Sequence, residues 1–193
     1  LKPNDEFGYR TPGSLEIFID RMVDGEHSRV YYQTFYRREE FNAEKYKPTF
    51  APKAYSGQTV SMKLYLDQLR GEEIIVTPYI RDTFTKEVVE LESTTLEDKT
   101  WQTIEFVIPD TEGSLVEEVG FKVESPSPRD NRAFGKIFLD EFHIYGAPRY
   151  DIDFSKQVVE FLSVTPFAHH RGSWDLHDGK MVVESDTDCA SFT

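Results

Sequence analysis

Apolar residues recur at every second position in run after short run of this chain. Thr59 to Leu69 (TVSMKLYLDQL) sets Val60, Met62, Leu64 and Leu66 on one side and Lys63, Tyr65 and Asp67 on the other. Trp101 to Pro109 (WQTIEFVIP) sets Ile104, Phe106 and Ile108 against Trp101, Thr103 and Glu105. Neighbouring side chains of a strand point to opposite faces, so a period of two means strands buried on one face. Ser14 to Asp20 follows the rule with Leu15, Ile17 and Ile19, and Val116 to Glu124 with Val119, Phe121 and Val123. Glu73 to Arg81 places Ile74, Val76 and Ile80 opposite Thr77, Tyr79 and Arg81, and Pro78 points to an edge or a bulge there. A helix competes for Thr59 to Leu69, but the β-branched start favours a strand.

Arg29 to Arg37 (RVYYQTFYR) and Glu87 to Leu91 add two strands, and Gly135 to Gly146 (GKIFLDEFHIYG) adds the last. The Asp24-Gly25 turn predicts a hairpin between Ser14–Asp20 and Arg29–Arg37. Glu39 to Ser56 is a long connection with a helical turn expected near Glu40 to Tyr46. About eight or nine short strands, spaced by turn signals, describe two stacked sheets. The expected fold is all-β, a jelly-roll β-sandwich with a short C-terminal β tail.

Residues 1–147 form the expected sandwich module, closed by the linker-like Ala147 to Tyr150. Residues 148–193 hold expected strands at Gln157 to Val164 and Lys180 to Glu184, with a loop at His169 to Gly172. That tail is too short to bury a core of its own. It either starts a second, truncated β-sandwich or packs on the first. The chain opens at Leu1, without methionine, which suggests a fragment of a longer protein. Its compartment stays open.

Charge narrows the partners. The chain carries 22 basic and 35 acidic residues, a net charge of −13. Phosphate backbones call for basic patches, so a nucleic-acid role is excluded. Neutral ligands, cations and basic partners remain. No apolar run approaches the roughly 20 residues of a membrane span, so no membrane role is expected. Cys189 is the only cysteine, so no internal disulfide can form. It has no neighbouring base, and His169, His170 and His177 lack well-spaced zinc partners.

Asp140 and Glu141 stand out as carboxylates within an apolar strand. Glycosidic hydrolysis needs two carboxylates across a cleft. Strand alternation would send these two to opposite faces, so no catalytic residue is assigned. Sugar rings offer apolar C–H faces to aromatic side chains. The outward Tyr65, Tyr79, Arg81, Trp101 and Glu105 are candidate ligand-binding residues that could line one face. Of Tyr31 and Tyr32, one faces the core. The bland alternative is that most of the 27 aromatic residues fill the core.

Taken in order, WQTIEFVIP (Trp101–Pro109), VGFKV (Val119–Val123) and GKIFLDEFHIYG resemble the closing strands of galactose-binding-like jelly-roll modules. That is the fold of many carbohydrate-binding modules, and the resemblance covers Gly57 to Gly146. It implies a glycan partner and a structural calcium ion. Asp140 matches the acidic residue that helps hold this ion in many such modules, and Glu16, Asp20 or Asp24 could join it. Calcium takes roughly six to eight oxygen ligands. The alternative is that Asp140 caps a loop or pairs with Arg or Lys.

A second resemblance rests on RVYYQTFYRREEF (Arg29–Phe41), PYIRD (Pro78–Asp82) and FAHHRGSWDLHDGKM (Phe167–Met181). These are similar to the non-catalytic region after the catalytic domain of some bacterial ADP-ribosylglycohydrolases, where a jelly roll precedes a concanavalin-like sandwich. The resemblance implies partnership with other domains of the same polypeptide and assigns no activity to this chain. The expected function is a non-catalytic carbohydrate-binding module. A structural or interaction sandwich is the alternative, and a small glycosidase the third. Asp140→Ala is expected to lower the melting temperature more than it lowers any ligand binding. An unchanged melting temperature with abolished binding would count against a structural Asp140.

Overall fold

The computed structural model describes residues 1–34, 53–82, 85–112, 116–147 and 149, together with the backbone of Ser173–His177 and Lys180–Glu184. The described strands are β1 (Lys2–Asn4), β2 (Ser14–Met22), β3 (His27–Gln33), β4 (Thr59–Arg70), β5 (Ile75–Asp82) and β6 (Val88–Glu90). They continue with β7 (Thr94–Thr95), β8 (Trp101–Val107), β9 (Val116–Glu124), β10 (Ala133–Tyr145), β11 (Ser173–His177) and β12 (Lys180–Glu184). No helix occurs among the described residues.

One sheet runs β1-β2-β10-β4-β8; the other runs β3-β9-β5-β6, with β7 also on β5. Neighbouring strands within each sheet are antiparallel. The chain crosses between sheets after β2, β3, β4, β7, β8 and β9. This repeated crossing makes the jelly roll. It follows from the alternation, because each strand has one apolar face and each crossing lays it against another sheet.

Between the sheets lie Ile17, Ile19, Val60, Met62, Leu64, Leu66, Ile104 and Ile137 from one side. Val30, Val76, Ile80, Val119, Phe121 and Val123 meet them from the other. Among the described residues β11 and β12 pair with each other as a two-stranded sheet. The strand expected at Lys180–Glu184 is β12. The helical turn near Glu40 to Tyr46, the strand at Gln157 to Val164 and the His169 to Gly172 loop lie outside the described residues.

The hairpin expected around Asp24-Gly25 does not form. β2 already has β1 and β10 on its two edges, and β3 pairs with β9 in the opposite sheet. Arg21 turns the chain with φ 58°, and the Asp24 amide donates to the Ser127 carbonyl at 2.7 Å. The chain thus leaves one sheet for the other.

Pro78 sits in an interior strand, between β9 and β6, rather than at an edge. Its carbonyl accepts from the Leu91 amide at 2.9 Å, in the gap between β6 and β7. The missing N–H therefore costs no ladder bond.

Strand β10 contains the decisive irregularity. Its register against β4 passes from Asp140↔Lys63 to His143↔Ser61, one residue too many, and Glu141 takes φ +46°. This bulge inverts the alternation. Ile137 faces the core and Leu139 packs against it before the bulge; Phe142 and Ile144 do so after it. The two carboxylates consequently do not diverge as simple alternation predicts. Asp140 accepts the Tyr9 amide and the Glu141 amide, both at 2.7 Å, and Glu141 lies 3.7 Å from Arg10.

Gly120, in the middle of β9, lets two strands approach. A Cβ there would lie 2.1 Å from the Val30 carbonyl oxygen and 2.6 Å from the Tyr31 Cα. Backbone cannot yield as a side-chain tip does. Gly120→Ala is expected to destabilise the protein by about 1–3 kcal/mol, read as a lowered denaturation midpoint. An unchanged midpoint would show that β3 and β9 part without cost.

Candidate functional site

The five residues expected to line one face are divided between the two sheets. β4 pairs with β8, so Tyr65, Trp101 and Glu105 share the outer face of the first sheet. β5 belongs to the second sheet, so Tyr79 and Arg81 lie on the opposite side of the sandwich. A single face containing all five is therefore ruled out by strand order.

On the first sheet, Phe138, Tyr65 and Trp101 stand in register across β10, β4 and β8. The N-terminal segment lies over them. The Phe7 ring stacks on Trp101 at 5.6 Å and 15°, and meets Phe138 at 4.7 Å and Tyr65 at 4.9 Å. Tyr9 approaches Trp101 edge-on at 5.7 Å, and the Lys63 ammonium lies 4.6 Å from the Tyr9 ring. Asn4 Oδ1 accepts from the amides of Glu6 and Phe7, while Asp140 holds Tyr9. These aromatic faces are occupied by the protein's own chain. Glu105, further along the sheet, accepts the Tyr145 hydroxyl at 2.9 Å, and that bond raises the hydroxyl's pKa.

The four candidate calcium ligands are not assembled. Glu16 is buried and accepts from the Asn4 side-chain Nδ2 at 2.9 Å; Lys136 lies at 3.0 Å and Lys2 at 3.5 Å. Asn4 first, then the lysines, hold its carboxyl below the ordinary range. Asp140 is used by two amides. Asp20 pairs with Arg21 at 3.4 Å. Asp24 lies in the turn beyond β2, past Met22, which pairs with the start of β10 at Ala133 rather than near Asp140. Among the described residues no group of three or more His, Cys, Asp or Glu could hold a metal ion. A carboxylate already neutralised by two ammonium groups does not suit calcium, so these residues do not fit the ion.

The second sheet's outer face is different in kind. Val119, Phe121 and Val123 of β9 face the core, which turns Glu118, Gly120 and Lys122 outward. Gly120 stands opposite Tyr31 on one side and Tyr79 on the other. One step along the strands, Arg29 and Thr77 flank Lys122; one step the other way, Gln33 and Arg81 flank Glu118. A bulge between Arg81 and Asp82 adds Glu117 to the face. Arg81 then reaches Glu118 at 3.1 Å and Glu117 at 3.8 Å, and Lys86 reaches Glu117 at 2.7 Å.

On the other flank Lys122 bridges Glu90 at 2.7 Å and Glu124 at 3.3 Å, and Arg29 lies 3.8 Å from Glu90. The bond to Glu90, then that to Glu124, raises the Lys122 pKa. Tyr79 is buried under Arg29, whose guanidinium lies 5.4 Å from the ring centroid, and its hydroxyl donates to Glu118 at 3.1 Å. Burial, reinforced by Glu118, pushes that hydroxyl's pKa up. Tyr79 thus supports the face from below and cannot stack on a ligand. Tyr31 is this face's exposed aromatic among the described residues, 49% accessible, and its backbone packs against Gly120. Its neighbour Tyr32 turns inward, 5.9 Å from Phe142.

Tyr31, Arg29, Glu90, Lys122 and Glu118 were not singled out by sequence reasoning. For Tyr31 a signal existed: Val30 and Tyr32 flank it on the inward side of the same strand. For the charged residues there was none, because the pairs Arg29–Glu90, Lys122–Glu90 and Arg81–Glu118 each join different strands.

No protein-family model matches the chain, and no curated protein matches it. Among solved structures it is similar to a family 11 carbohydrate-binding module from Clostridium thermocellum, solved with a β-1,3-1,4-mixed-linked tetrasaccharide. That likeness has a TM-score of 0.42 at 15% identity, over 77% of this chain and 83% of that one. It is also similar to a family 16 carbohydrate-binding module, at TM-score 0.40 and 14% identity, over 75% of this chain and 84% of the other. A xylan-binding CBM22-1 domain of Xyn10C from Paenibacillus barcinonensis gives 0.39 at 15%, over 78% and 80%. Scores at this level accompany the fold and carry no argument about a ligand.

Phe7→Ala is expected to lower stability by about 2 kcal/mol through loss of three ring contacts, with a change in tryptophan emission as Trp101 becomes wet. Unaltered stability and emission would show that Phe7 does not cover Trp101 in solution.

Proposed function

We propose that this chain is a non-catalytic glycan-binding module and that it binds through the outer face of the β3-β9-β5-β6 sheet. The observation that carries the reading is the exposed Tyr31 ring beside Gly120, framed by charged side chains already held in place. The ring offers an apolar surface to the C–H face of a sugar. Guanidinium, ammonium and carboxylate groups can donate to and accept from hydroxyls. Because ion pairs fix these side chains beforehand, ordering them on binding costs less. An accessory role beside a hydrolytic, ADP-ribosylglycohydrolase-like domain of the same polypeptide is part of the proposal. Its support is the resemblance of Arg29–Phe41, Pro78–Asp82 and Phe167–Met181.

A structural module without a ligand is the second reading. It is favoured by the first sheet, where Phe7 covers the Tyr65 and Trp101 rings. Affinity electrophoresis and calorimetry on a broad glycan panel separate the two. Tyr31→Ala is expected to weaken binding at least about tenfold, about 1.4 kcal/mol, with an unchanged melting temperature. The absence of any binding across the panel would falsify the glycan reading and leave the structural one.

A further inference from the structure

We infer that the glycan recognised on the β3-β9-β5-β6 face is uncharged, and that the protein rejects uronate and sulfated chains by means of its own carboxylates. The inference rests on the proposed glycan-binding face and names the class of ligand that face takes.

Four cations stand on this face among the described residues: Arg29, Arg81, Lys86 and Lys122. Each has a carboxylate of the same face within ion-pair distance. Arg81 has Glu117 and Glu118, Lys86 has Glu117, Lys122 has Glu90 and Glu124, and Arg29 has Glu90. Cations and carboxylates are thus equal in number, four against four. Two of the carboxylates, Glu117 and Glu118, are buried and cannot swing away to make room.

An anionic sugar could gain a cation here only by displacing a carboxylate that is covalently part of the sheet. The displaced group would stay close by and repel the newcomer. The net charge of −13 adds a long-range term of the same sign. A hydroxyl meets no such penalty, since the paired groups keep spare donor hydrogens and acceptor lone pairs. Like-charge exclusion is a recognised route to specificity, and here the repelling element is built from β6 and β9.

Glu90 is where this exclusion can be undone. It is partly exposed, on the short strand β6, and it alone among the described carboxylates faces both Arg29 and Lys122. Glu90→Gln keeps the shape, releases Arg29 and leaves Lys122 with Glu124. Glu118→Gln is unsuitable, because it leaves a buried site short of charge beside Arg81.

The test compares wild type with E90Q by calorimetry. The neutral probes are glucose-, xylose- and mannose-based oligosaccharides; the charged ones are oligogalacturonate and chondroitin sulfate. Wild type is expected to bind at least one neutral probe, and both charged probes at least about tenfold more weakly. Neutral binding should change less than about twofold between low salt and about 0.5 M salt. In E90Q the ratio of charged to neutral affinity should rise at least about threefold, and the gain should disappear at high salt. Wild type binding charged probes as tightly as neutral ones overturns the inference while the glycan-binding reading stands. So does an E90Q ratio equal to that of wild type. Binding of no probe by either protein overturns the glycan-binding reading itself, and this inference with it.

Discussion

The extra residue in β10 governs both faces of the first sheet. A strand that kept perfect alternation from Ala133 to Tyr145 would bury Ile137 and Leu139 and then expose Phe142 and Ile144. The bulge at Glu141 corrects the phase, so that apolar residues face the core along the whole strand. A left-handed backbone at a glutamate is uncommon, and it is held here by the Asp140 carboxylate accepting its own neighbour's amide. The second oxygen of that carboxylate reaches Tyr9 and fixes the segment that carries Phe7. One side chain therefore corrects the strand's phase and fastens the cover over the sheet's aromatic face.

Much of the fold was legible because alternation is a local property. Val60 to Leu66, Ile104 to Ile108 and Val119 to Val123 declare which side is buried without reference to the rest of the chain, and all three runs behave as their pattern says. What alternation cannot declare is which strand lies beside which. The turn at Asp24-Gly25 suits a hairpin by every local rule, yet both edges of β2 are taken by β1 and β10. The same limit divided the candidate site. Tyr65 and Tyr79 both point outward, as their parity requires, but outward from opposite sheets. Asp140 and Glu141 failed for another reason: a one-residue insertion leaves no mark where Ile137, Phe138 and Leu139 already put apolar residues on both faces before it.

The two outer faces also contrast in how they meet water. The first carries rings and hides several of them under the N-terminal segment. The second carries charges and satisfies them laterally, strand to strand. Exposed ion pairs contribute little to stability singly, but a linked set restricts the rotamers of long side chains that would otherwise sample many. The buried Tyr79, bonded to Glu118 and covered by Arg29, ties this set to the sheet beneath. Rigidity on this face therefore comes from charge where the opposite face takes it from packing.

The placement of β10 has a consequence for how the molecule assembles. Among the described residues it is the last strand of the two stacked sheets, yet it lies between β2 and β4 at the middle of its sheet. Before it emerges from the ribosome, β2 with β1 and β4 with β8 are separate two-stranded pieces with open edges facing each other. Such pieces are marginal alone in water. The contact from Asp140 to Tyr9 spans 131 residues, so the loop it closes encloses nearly the whole sandwich. Assembly of this kind is slow relative to folds built from local contacts. During synthesis the nascent sandwich stays incomplete until its final segment arrives, when one strand inserts and both halves of the sheet close on it together.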